Sequence, residues 1–278
     1  MYYLMITASA LFFSMQFMFN NGYQRHNGTG WEATLKFSFY TALAGFFIIL
    51  AVNKFRIAIS QFSLLTAFVY GAVCIMLNYS TIKAFEYAGL SVYSIFSMIG
   101  GMMLPFIYGL LCGEEFKLIR LICCALIAIS VFLTVDNKQS KKAFCCYIAV
   151  FLLNGMVGVI SKFHQSYADY CVDSGSFLML TRIVITIFCF ILMLKEKRFA
   201  LSRKSLSYCV GYAGLNCIGN LMLLIALLHL PASVQYPMVT GGTIVFSVII
   251  DLIRRVRITK KEMAAAGISL AASCLMAL

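Results

Sequence analysis

Amide, phenol and ammonium side chains set inside long apolar runs are the groups in this sequence whose chemistry needs explaining. Gln16 and Asn20 stand four apart in an uncharged stretch, so on a helix they share one face. Asn78 and Asn220 occupy matching places in two further stretches, with Asn216 one turn before Asn220. Tyr93 and Ser94 follow one helix break, and Gln235 and Tyr236 follow another. Asn154 falls near the middle of a run that closes with Lys162 and His164. Polar groups in hydrocarbon are costly unless they face protein or a water-filled path. Gln16, Asn20, Asn78, Tyr93, Ser94, Asn154, Lys162, Asn220, Gln235 and Tyr236 together could supply the hydrogen bonds of a small-molecule site. Each could equally do no more than bond a neighbouring helix. Lys36 and Arg182 lie about one turn inside two apolar runs. Binding an anion and snorkelling to the interface are both open to them.

Other features bound the mechanism. Gly100-Gly101 and Gly241-Gly242 remove side chains halfway along two helices, and Pro105 and Pro237 remove a backbone donor nearby. Such helices bend and gate, or simply pack closely. No Asp or Glu lies in mid-run; Glu32, Glu86, Asp251 and Glu262 all fall near ends, so a carboxylate proton relay is not expected. No phosphate-binding loop is present, which argues against direct ATP drive. The 11 cysteines are scattered through apolar stretches without paired CxxC spacing, so neither a disulfide framework nor a metal site is expected, and no cofactor is implied. His164 with Asp169 is the one pair that would suit a membrane-embedded enzyme. No nucleophile or metal set accompanies it, and a non-enzyme is expected.

These residues are carried on a chain of 278 residues, 62% hydrophobic and only 12% charged, with a mean hydropathy of +0.91. A soluble domain is about half apolar, so lipid is the expected solvent. The net charge of +12 does not point to nucleic acid, because the basic residues cluster at the ends of apolar runs, as in membrane proteins. The first charged residue is Arg25, so the first run reads as a retained helix rather than a cleaved signal. About 20 residues span the hydrocarbon core. On that unit the sequence predicts an all-α polytopic membrane protein of ten transmembrane helices: 1–24, 35–51, 62–82, 89–112, 117–135, 143–161, 177–194, two within 205–250 divided near Pro231, and 262–278.

The second half repeats the first. A shift of 142 residues places Ser63 on Ser205, Tyr70 on Tyr212, Asn78 on Asn220, Ser91 on Ser233 and Val92 on Val234. Residues 1–137 and 138–278 then form two five-helix repeats. Five is odd, so tandem copies must be inverted, an arrangement that suits alternating access. Fourteen basic residues fall in the odd-numbered connections and four in the even ones. This bias places both termini outside the cytoplasm.

Ala84-Phe85-Glu86-Tyr87-Ala88-Gly89-Leu90-Ser91-Val92 resembles the junction of third and fourth helices in EamA-type transporters of the drug/metabolite superfamily. Gly113-Glu114-Glu115-Phe116-Lys117 is similar to that family's acidic turn before the fifth helix; the matching Arg255-Val256-Arg257-Ile258-Thr259 departs from it. The resemblance covers the whole chain. It implies a multi-pass cell-membrane carrier that moves a small organic metabolite, such as an amino acid, by alternating access. A multidrug exporter on the same fold is the alternative. The family is often described with cytoplasmic termini, opposite to the orientation read from charge here. The expected partners are the substrate and the bilayer; oligomeric state is left open, and a monomer would suffice.

Overall fold

The computed structural model describes residues 1–28, 30–87, 90–115, 117–133, 141–167, 169–196, 199–255 and 259–276, but not the side chains of 21, 82–95, 131, 133, 141–144, 195–196 and 276. The described chain is helical, in ten segments: α1 (Tyr2–Asn27), α2 (Trp31–Val52), α3 (Gln61–Tyr87), α4 (Leu90–Leu111), α5 (Leu118–Leu133), α6 (Lys141–Ser166), α7 (Ser174–Glu196), α8 (Arg203–Leu227), α9 (Ala232–Ile253) and α10 (Lys260–Met276). Each overlaps one of the apolar runs. Several continue past it, because a helix in lipid satisfies its own backbone and need not stop where hydrophobicity does. The long uncharged stretch 205–250 divides where Pro231 becomes the N-cap of α9. Ser202 caps α8 by accepting from Ser205 N–H.

Seven of the ten, α1, α2, α3, α6, α7, α8 and α9, are long and apolar enough to cross a membrane. The described apolar parts of α4 and α5 are shorter, Phe96–Leu111 and Leu118–Ser130, and α10 has 17 residues. The surface agrees with an α-helical membrane protein. Leu65 and Phe68 on α3 and Ile187 and Ile191 on α7 are all more than half exposed, while Ser63, Ser205, Ser233 and Gln235 are fully buried.

Among the apolar clusters that hold the bundle, two join four or more helices each. Ile49, Ala67, Phe177, Leu178 and Leu224 join α2, α3, α7 and α8. Met102, Cys123, Ile127, Val234 and Ala272 join α4, α5, α9 and α10. The helix pairing has a regularity. α1 packs on α8 and α9, as α6 packs on α3 and α4; α2 packs on α8, as α7 packs on α3. α2 with α7, α4 with α9 and α5 with α10 are self-paired under the same exchange. Ser130 and Ser269 meet at 2.6 Å at the α5–α10 contact.

Candidate functional site

A chain of polar side chains crosses the interior between α7, α8 and α1. Arg182 lies eight residues into α7, about 12 Å along the helix. Its apolar run begins at Phe177, but the helix begins three residues earlier and carries Arg182 deeper than the run implied. The guanidinium turns inward: Nη2 donates to Asn216 Oδ1 at 2.6 Å. Asn216 Nδ2 in turn donates to Gln16 Oε1 at 2.9 Å, and Gln16 is buried. Asn220 Nδ2 donates to the carbonyl of Asn216 at 2.7 Å. The Nε of Arg182 is buried without an acceptor.

Tyr70 and Cys74 of α3 and Tyr212 and Cys217 of α8 are the titratable groups around this arginine. Tyr70 and Tyr212 are repeat mates, and Cys74 is the mate of Asn216. The site thus draws corresponding positions from both halves. On its α2 side stands Gly45, where an added Cβ would lie 2.7 Å from Cys217 Sγ and 3.4 Å from Arg182 Nε. The missing side chain admits the Cys217 thiol, and the guanidinium passes at ordinary contact distance beside it.

The structure separates the sequence candidates into groups. Gln16, Asn216 and Asn220 join Arg182, and Asn20 stands next to them with its Oδ1 accepting from Gln24. Asn78 Nδ2 donates to Ser38 Oγ at 2.8 Å, tying α3 to α2. Asn154 Nδ2 donates to the Ser97 carbonyl at 2.6 Å, tying α6 to α4. Gln235 is fully buried and donates to the Leu223 carbonyl; Tyr236 donates to the Gly158 carbonyl at 3.2 Å. The side chains of Tyr93 and Ser94 lie outside the described residues. The glycine pairs mark close approaches: Gly100 to the α6 backbone at Phe151, Gly101 to Asn154, Gly241 to Ser273 and Gly242 to Ala10. Pro105 and Tyr236 meet over Gly158, and Pro237 is buried in α9.

Lys36 is held by Glu32, one turn back on α2, at 2.8 Å. Lys162, at the far end of α6, forms an ion pair with Glu114 at 3.0 Å. Glu114 also accepts from the Ala232 and Ser233 N–H groups at 2.8 and 2.9 Å, so it caps α9. Burial pushes its carboxyl up. The Ser233 hydroxyl and N–H, the Ala232 N–H and the Lys162 ammonium outweigh that and hold it below the ordinary carboxylate range. Sequence reading found this acidic turn but not its role, because the partners are distant in the chain.

His164 Nε2 lies 2.9 Å from Ser63 Oγ, with its ring stacked on Phe177 at 4.0 Å. A serine beside a histidine suggests a nucleophile and base. Yet both are buried, and Ser63 Oγ also meets Ser60 Oγ and accepts from Val172 N–H. The mate of Ser63, Ser205, makes the same contact with Ser202 and uses Asn27 where Ser63 uses His164. An asparagine cannot act as the base. The arrangement is a helix-end clasp built twice.

No family model and no curated protein matches the chain. A solved structure described only as the crystal structure of a protein matches 100% of this chain and 98% of its own, with a TM-score of 0.78 at 11% sequence identity. At that identity the likeness is one of fold.

Proposed function

We propose that the chain is an EamA-type secondary carrier that moves a small organic metabolite, such as an amino acid, across the cell membrane by alternating access. In this reading the ten helices cross the membrane as two inverted five-helix repeats, residues 1–137 and 138–278, with both termini extracytoplasmic. The observation that carries it is the interior polar chain Gln16–Asn216–Arg182, which joins α1 of the first half to α8 and α7 of the second. A carrier whose halves exchange conformations needs its site where the halves meet. The helix pairing, nearly unchanged when the halves are exchanged, supports the same reading. A multidrug exporter is the weaker alternative, since an interior arginine repels cationic drugs.

Counterflow in proteoliposomes tests the reading. Vesicles preloaded with mixed amino acids should accumulate external labelled amino acid transiently and saturably. Flux no greater than in protein-free vesicles, for amino acids and drugs alike, overturns it. A C-terminal reporter fusion or cysteine accessibility that places the C-terminus inside the cell overturns the orientation alone.

A further inference from the structure

Arg182 presents a problem that the carrier reading leaves unanswered. A cation in a membrane interior is costly unless it is paired or reaches the interface. Arg182 has no carboxylate partner among the described residues, and its Nη2 turns inward to Asn216. Its one hydrogen bond among the described residues goes to a neutral amide, and its Nε has no acceptor. No acidic side chain among the described residues lies within ion-pair distance of it, although Lys36 and Lys162 both have carboxylate partners. The neighbouring Tyr70, Cys74, Tyr212 and Cys217 bring hydroxyls and thiols rather than carboxylates. The guanidinium is also held in place: Asn216 fixes Nη2 and Gln16 fixes Asn216.

A planar fork of N–H donors whose Nε lacks an acceptor is matched by a carboxylate, which accepts two parallel hydrogen bonds. One positive charge balances one negative charge. A phosphate dianion would leave a second charge uncompensated in a low-dielectric interior. We infer that Arg182, oriented by Asn216 and Gln16, is the carboxylate-binding element of the site, and that the molecule carried is a monocarboxylate or a zwitterionic amino acid. This rests on the carrier reading for its word "carried"; the binding claim stands on the geometry alone.

The test uses purified full-length protein in detergent and reads the thermal shift caused by ligand. The probes are the proteinogenic amino acids and common keto and hydroxy acids. L-leucine and L-phenylalanine are compared with isoamylamine and phenethylamine, which lack only the carboxylate, and with 4-methylpentanoate and 3-phenylpropionate, which lack only the amine. Inorganic phosphate is the remaining arm. At least one carboxylate should raise the melting temperature, its decarboxylated amine should not, and phosphate should not. Arg182→Gln should weaken that carboxylate about 100-fold, as loss of a charged hydrogen-bonded pair would. Its ligand-free melting temperature should not fall.

Asn216→Asp decides the matter should Arg182→Gln not fold. It places a carboxylate against the guanidinium, so ligand-free stability should rise and the carboxylate shift should vanish. No shift from any carboxylate, or a shift that survives both variants, overturns the inference. A stronger shift with phosphate than with any carboxylate also overturns it. Arg182-dependent binding without counterflow leaves the carboxylate site standing and removes the carrier. Counterflow of a substrate that needs neither carboxylate nor Arg182 does the reverse.

Discussion

Lys36 on α2 and Arg182 on α7 stand at nearly matching places of the two halves, and their surroundings differ. Lys36 is five residues from the start of its helix and holds Glu32 at 2.8 Å. Its four-carbon stem allows the ammonium to reach the interface. Arg182 is three residues deeper, turned inward, and bonded to a neutral amide. One cation is neutralised locally; the other is kept open. Matched positions with matched surroundings serve the scaffold, and matched positions with divergent surroundings mark where a ligand can enter the account.

The largest effect expected from breaking a matched pair is at the central glycines. Gly100 of α4 faces the α6 backbone at Phe151, and Gly242 of α9 faces the methyl of Ala10 on α1 at 2.9 Å from an added Cβ. Neither the Phe151 backbone nor the Ala10 methyl can swing aside without moving its helix, but the first overlap is deep and the second shallow. Gly100→Ala should therefore cost about 3 kcal/mol of overpacking, reduced by about 1 kcal/mol of helix propensity. Gly242→Ala should cost about 1 kcal/mol against the same gain, and come out near neutral. Denaturant unfolding in micelles separates the two; equal losses would remove the distinction between a deep and a shallow overlap.

Glu114 sharpens the comparison at the connections. The 4–5 turn sends this carboxylate onto the first N–H groups of α9 and onto Lys162. The matching 9–10 turn is basic. Glu114→Gln should cost about 2 kcal/mol, since it leaves a half-buried lysine unpaired and weakens a cap. Its depressed pKa sets the sign with pH. The contribution is fully present above the ordinary carboxylate range and is lost as pH falls through the depressed value. Acid unfolding curves of the wild type should show that loss, and Glu114→Gln should flatten it; parallel acid limbs would contradict the assignment.

The clasps Ser60-Ser63-His164 and Ser202-Ser205-Asn27 should yield smaller and similar effects. Ser63→Ala and Ser205→Ala should each cost about 1 kcal/mol, the usual worth of such a hydrogen bond. His164→Asn copies the second clasp into the first. It loses the stack on Phe177 but should keep ligand binding and transport, measured by thermal shift and counterflow. Abolished flux with an intact fold would make His164 functional and break the equivalence.

Most of the helix layout was legible in the sequence, because apolar runs broken by Pro231 or by charged turns coincide with the physical needs of a membrane helix. The ends were less legible: α3, α6 and α7 run past their apolar cores, since intrahelical hydrogen bonds continue through polar residues. That earlier start puts Arg182 eight residues into α7, and its inward bond to Asn216 was not visible in the spacing. Gln16 and Asn216 could be named from spacing, but their bond to each other spans 200 residues of chain. No local pattern announces such a contact. The same holds for Glu114 and α9. For Asn78 and Asn154, the sequence could show a polar group in a span; only the partners, Ser38 and the Ser97 carbonyl, show that it is occupied by a neighbouring helix.

The smallest effect is expected from the cation that opened the comparison. Glu32→Gln removes the partner of Lys36, and an i,i+4 pair with a partly exposed acid contributes about 0.3–0.5 kcal/mol. Released, the ammonium can extend to water, so the lost Coulomb energy is largely recovered as hydration. Stability in micelles should change by no more than that amount, and the carboxylate-induced thermal shift should stay as in the wild type. Arg182 has no such escape, because its helix continues eight residues behind it and its fork is held by Asn216. If Glu32→Gln instead weakened carboxylate binding as strongly as Arg182→Gln, the two cations would act as one site. The asymmetry between the halves would then lie in pairing alone and not in role.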